Sequence, residues 1–188
     1  MASRLRLISM CTAALLATGC AQLIAPPYSS DYEALDRLKR VPAERVAVAT
    51  VQPTDANNAV NNLSLRGAGF RSGSGTFAKY LEDALVGDLK EISLYDAAAR
   101  TRIDTVIQKN EIAVANISTG TGLMDVELTV ARDGKQRLRK VYSAQTSFES
   151  SFAGAVAIPK GQAEYPNLVR ALLREVYTDP AFIAAISK

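Results

Sequence analysis

Residues 124–148, "MDVELTVARDGKQRLRKVYSAQTSF", decide the fold. Met124, Val126, Leu128 and Val130 alternate with Asp125, Glu127 and Thr129, the two-residue period of a strand with one face in a core. Asp133-Gly134 is a two-residue hairpin signal. Leu138, Tyr142, Ala144 and Phe148 carry the return strand. An antiparallel pair is therefore expected.

Working outward, Ile103, Thr105 and Ile107 share parity in "RIDTVIQKNEI", a further strand with a break expected at Lys109-Asn110. "RVAVATVQ", Arg45 to Gln52, is β-branched and alternating enough for a first strand. In "TFAKYLEDALVGDLKEI", Phe77, Leu81, Leu85, Leu89 and Ile92 recur every three or four residues, which predicts an amphipathic helix. Pro166 is expected to open a helix carrying Leu168, Val169, Leu172, Leu173 and Val176. Asp179-Pro180 supplies an N-cap and first-turn pair for a last short helix with Phe182, Ile183 and Ile186. The order β-α-β-β-β-α-α describes an α+β fold: a mostly antiparallel four-stranded sheet with helices on one face. With no internal repeat or second core visible, residues 45–188 are expected to form a single domain.

The first 44 residues read differently. "MASRLR" carries Arg4 and Arg6 without an acid, and Leu7 to Ala17 is almost entirely apolar, the layout of a secretory signal. Eleven residues at about 1.5 Å of rise span roughly half of a ~30 Å hydrocarbon core, so removal is expected rather than retention. Ala17-Thr18-Gly19 leads directly into Cys20. This order resembles the bacterial lipobox, in which the cysteine thiol accepts a diacylglycerol and becomes the acylated N-terminus. The alternative is a buried or disulfide cysteine, yet the only possible disulfide partner, Cys11, lies inside the segment to be removed. Two or three acyl chains hold a protein on a membrane essentially permanently. The resemblance also carries a sorting rule: Ala21, rather than an aspartate, after the cysteine favours the periplasmic face of the outer membrane. Residues 1–19 are thus expected to be a signal peptide, and 20–44 a lipidated tether with a short helix.

Within that tether "APPYSS" reads as linker, and "SDYEALDRLKRV" as a surface helix ended by Pro42. Ser30 and Glu33 have capping-box spacing, and Glu33–Arg37 and Asp36–Arg40 are supportive pairs. Fully extended, residues 21–44 would reach roughly 80 Å and let the domain stand off the membrane.

Composition narrows the chemistry. The chain has 22 basic and 19 acidic residues; without Arg4 and Arg6 the balance is 20 to 19, so nucleic acid is not an expected partner. Histidine is absent, which removes the commonest general base and transition-metal ligand together. No cofactor and no catalytic or metal-ligating residue is assigned.

Four constellations bear on function. The glycine-rich stretch Arg66 to Gly75 precedes a helix, as a phosphate loop would, but its spacing is neither GxGxxG nor GxxxxGK[ST], so a flexible connection explains it better. Thr76-Phe77-Ala78-Lys79 has the outline of an S-x-x-K acylation motif, without its serine or companion motifs, and reads better as a helix first turn. Lys135, Arg137 and Arg139 are expected on one strand face with Lys140 beside them, either meeting lipid phosphates or an acidic partner, or as a solvated face that resists aggregation. "FESSFAGAVAIP", Phe148 to Pro159, is either the end of a core strand and a buried crossover or an exposed patch for a partner.

Together the "LATGC" sequence, the α+β layout, the DG hairpin, "SSFAGAVAI" and "LLREVYTDPAFIAAI" resemble small outer-membrane lipoproteins of Gram-negative bacteria. These are the YajG-type family and, more distantly, the lipopolysaccharide-assembly and ABC-transport auxiliary lipoproteins. The resemblance implies lipidation at the cysteine and no particular activity; the expected function is a lipid-anchored, non-enzymatic accessory subunit that binds an envelope protein in assembly or transport. A module binding lipid, glycan or peptidoglycan fragments is the alternative, resting on the basic strand face and the glycine loop. An enzyme ranks third. Only Cys20 is carried over as a functional residue.

Overall fold

The computed structural model describes residues 22–116 and 118–188. Among these, seven strands and four helices run in the order β1 (Leu23–Ile24), α1 (Tyr32–Lys39), β2 (Val46–Val48), β3 (Leu63–Leu65), β4 (Ala68–Arg71), α2 (Phe77–Glu91), β5 (Thr101–Ala113), β6 (Thr119–Arg132), β7 (Lys135–Glu149), α3 (Gly154–Thr178) and α4 (Pro180–Ile186), with a 3-10 turn at Ala59–Asn61. The class is α+β, with two sheets rather than one. The larger has the order β2-β5-β6-β7, and the smaller β1-β4-β3.

The expected meander is present. β5, β6 and β7 pair antiparallel over nearly their full lengths, while β2 joins β5 in parallel. Lys109-Asn110 does not break β5; a register shift between Ile107 and Lys109 absorbs one residue as a bulge. Ile103, Ile107, Met124, Val126, Leu128, Val130, Tyr142 and Ala144 are buried on one face, against the helices. The β6–β7 turn places Asp133 and Gly134 at φ +50° and +76°, as a type I′ hairpin requires.

The small sheet comes from segments expected to be tether and flexible loop. Arg66 and Gly67 sit at φ +51° and +82°, so Leu65 and Ala68 are joined by the same kind of two-residue turn. Strands of two to four residues are too short for a two-residue period to announce them.

Two helix starts also differ. The N-cap of α1 is Asp31, whose carboxylate accepts from the Ala34 amide, so the Ser30–Glu33 box does not form the cap. α3 begins at Gly154 and carries Pro159 and Pro166 inside it. Proline removes a backbone donor, but the stripe Tyr165, Leu168, Val169, Leu172, Leu173 and Val176 is fully buried, and tertiary burial overrides the local preference. Phe148 to Pro159 is therefore a strand end, a bend and two helical turns. Asp179 caps α4 as expected, accepting from the Ala181 amide at 3.1 Å.

Candidate functional site

Cys20 lies outside the described residues, which begin two positions later at Gln22. The segment after it, expected to hang free, is instead fastened down. Leu23 and Ile24 pair with Phe70 and Arg71, and the Ala25 amide donates to the Arg71 carbonyl at 2.8 Å. Gln162 donates to the Ile24 carbonyl, and Tyr80 Oη to the Pro26 carbonyl at 2.8 Å. Tyr28 Oη donates to Asp88 Oδ2 at 2.8 Å, Arg170 Nε to the Ser29 carbonyl at 2.8 Å, and Asp31 forms an ion pair with Arg174. Residues 23–31 thus form a strap laid across β4, α2 and α3.

The strap is held at a buried carboxylate. Asp88 is fully withdrawn from solvent, and its Oδ2 accepts from Tyr28 and, at 3.1 Å, from Tyr177. Burial pushes its carboxyl above the usual range; hydrogen bonds from Ser30, Tyr28 and Tyr177 work against that shift. Burial, together with the nearby Asp88, raises both tyrosine hydroxyls, so they stay protonated and serve as donors. At Asp31 the balance is opposite. Burial opposes its charge, but hydrogen bonds from Arg174 and the Ala34 amide prevail and hold the carboxyl low. One sequence signal pointed here: Asp88 falls on the apolar stripe of α2, seven positions after Leu81, where an acid must find partners.

Lys135, Arg137 and Arg139 do not share a face. In β7, Leu138 opposes Val130 but Gln136 opposes Ala131, so Arg137 is an extra residue in a bulge. A bulge shifts the alternation by one, and Lys135, opposite Arg132, returns to the helix-facing side while Arg139, opposite Thr129, points outward. Arg139 pairs with Glu127 at 2.9 Å, and Lys140 with Asp179 at 2.9 Å.

The glycine stretch and the Thr76–Lys79 outline are accounted for structurally. At the start of α2, Ala78 donates to Asn61 Oδ1 and Lys79 to Thr76 Oγ1, both at 3.0 Å, so two amides an anion would need are already engaged. Hydrogen bonds from Lys79 Nζ to Asp83 and Glu82 raise its pKa, which keeps it a cation rather than a base.

Two clefts flank these elements. One of about 450 Å³ lies between the strap and α2, lined by Tyr28, Ser30, Tyr80 and Gly87 among others. Another of about 340 Å³ sits at the β5 bulge, beside Asn110 and Lys109. Among the described residues no cluster suited to a metal ion occurs, and no helix is long and apolar enough to cross a membrane.

No family model matches the chain, and no curated protein matches it. Solved structures do. Protein XCC0632 from Xanthomonas campestris, described with the family model DUF330, superposes with a TM-score of 0.60 at 11% identity, covering 86% of this chain and 95% of its own. The likeness is one of fold. A structure from Caulobacter crescentus CB15 proposed to be a lipoprotein gives 0.46 at 10% identity, covering 81% of this chain and 97% of its own.

Proposed function

We propose that this chain is a lipoprotein, acylated at Cys20 and held on the periplasmic face of the outer membrane. Its folded part serves as a non-enzymatic accessory subunit that binds an envelope protein in assembly or transport. The carrying observation is the strap: the residues next to the candidate acylation site are fastened to three elements of the fold, which suits a protein whose position on a membrane is part of its work. A free tether would need none of these bonds. Lys135 and Arg139, on opposite sides of β7, remain candidate contacts for two different surfaces rather than one anionic ligand site.

Expression in a Gram-negative host, wild type beside Cys20→Ala, with intact mass and membrane fractionation, tests the anchor. A mass matching acylated residues 20–188, found in the outer membrane and lost in the variant, supports it. An unmodified protein in the soluble periplasmic fraction overturns it. Crosslinking in membranes and subsequent purification then test the subunit role; recovery of no specific envelope protein counts against that role while leaving the anchor intact.

A further inference from the structure

The path of the strap says which end of the molecule the anchor reaches. β1 runs parallel to β4, so its first residue, Leu23, lies on the side of the Arg66-Gly67 turn that precedes β4. The ties to α3 agree: Ile24 lies at Gln162, Ser29 at Arg170 and Asp31 at Arg174, so moving backward along the strap leads toward Gly154 at the start of α3. Two residues, Ala21 and Gln22, lie between Cys20 and Leu23, so three residue steps give a reach of at most roughly 10 Å.

That end of the molecule carries an apolar group. Phe152 is 78% exposed, Val156, near the start of α3, is 44% exposed, and Ile24 on the strap is 41% exposed. The backbone that carries Phe152 is held by Arg66. Arg66 donates through Nη1 to the Phe152 carbonyl at 2.5 Å, through Nη2 to the Ser151 carbonyl at 2.8 Å and through Nε to the Val114 carbonyl at 3.1 Å. Among the described residues these bonds give the guanidinium carbonyl partners, which leave its net charge available to an anionic surface.

We propose that this end rests on the bilayer, with Phe152 and Val156 entering the interfacial region of the leaflet that holds the acyl chains of Cys20, and Arg66 at the level of the headgroups. The occupant is the lipid surface itself, because a link of roughly 10 Å cannot lift this end clear of the membrane that anchors it. Aromatic and branched apolar side chains beside a cation are what that interface accepts. The inference rests on the anchoring reading above.

The protein has no tryptophan, so Phe152→Trp creates a single indole at the contact. Val141→Trp does the same about 23 Å further along β7, seven residues from Phe148 on the outer face. Each variant is purified from outer membranes, its acyl mass verified, and reconstituted in phosphatidylethanolamine–phosphatidylglycerol vesicles with and without brominated acyl chains. The expected result for Phe152→Trp is a blue-shifted indole emission that falls about twofold or more in brominated lipid, against little change for Val141→Trp. Acylated Phe152→Trp protein whose emission is unquenched overturns the orientation and leaves the anchor standing. Equal quenching in both variants also overturns it, since the molecule would then lie without a preferred end. Absence of acylation overturns both readings.

Discussion

Tyr28 donates its hydroxyl hydrogen to Asp88 at 2.8 Å across 60 positions of sequence, tying the segment after the candidate lipidation site to a carboxylate in the core. The contact is effective because Asp88 is shut off from water and the half-buried Tyr28 supplies a donor that solvent does not. Tyr28→Phe removes one donor from a buried carboxylate and should cost about 1–3 kcal/mol, read as a lower urea midpoint. Hydrogen exchange at the Ala25 amide should quicken in the same variant, because the strap loses its central fastening.

Asp88 also gives the protein a pH signature. Its folded carboxyl titrates above its unfolded value of ~3.9, so the native state binds more protons between the two, and stability falls as pH rises through that window. Asp88→Asn removes this titration. Relative to wild type, the variant should gain from about pH 4 upward until the folded value is passed, measured as the difference in melting temperature at each pH.

Asp179 predicts the opposite slope. Burial opposes its charge, yet hydrogen bonds from Tyr142 Oη at 2.6 Å, Lys140 Nζ at 2.9 Å and the Ala181 amide hold its carboxyl below the ordinary range. The stabilisation is present above ~3.9 and disappears as pH falls through the lower folded value. Asp179→Ala removes an N-cap and leaves Tyr142 without its acceptor, a loss of about 1–3 kcal/mol near neutral pH. Denaturant titrations should show the two proteins converging in acid.

Two glycine substitutions should differ in sign. An added Cβ at Gly161, where α3 crosses β5, would meet Val114 Cγ1 at 2.5 Å, with Ile112 and Leu65 close behind. Gly161→Ala should destabilise by about 1–3 kcal/mol through overpacking. Gly87, on the exposed side of α2, has nothing within 4 Å of such an atom. Gly87→Ala should stabilise by about 0.5–1 kcal/mol, because the unfolded chain loses freedom and the helix meets no obstacle.

The range of each interaction explains which elements were legible in the sequence. The β6–β7 hairpin was legible because alternation and Asp133-Gly134 are local, and α2 and α4 because their stripes and the Asp179-Pro180 cap are local too. The strap was not. Its side-chain ties span 54 to 143 positions, and "APPYSS" has the composition of a linker whether or not it is fastened. The start of α3 was hidden because Pro159 and Pro166 oppose a helix that burial then enforces. One extra residue at Arg137 turned an expected basic face into two. Of the candidate site, the reading of Cys20 rests on its immediate neighbours, whereas the Asp88 fastening left only the trace of an acid on an apolar stripe.

The length of the central hairpin sets a height. β6 has 14 residues, which at about 3.3 Å each make a rod of roughly 45 Å from the Phe152 end to the turn at Asp133-Gly134. In the proposed orientation, with the Phe152 end lowermost, that turn would stand farthest from the lipid. On the anchoring proposed above, the fastened strap would add no slack of its own, so the molecule would stand as a short upright post that presents its tip at a set altitude instead of leaning out to search beyond it.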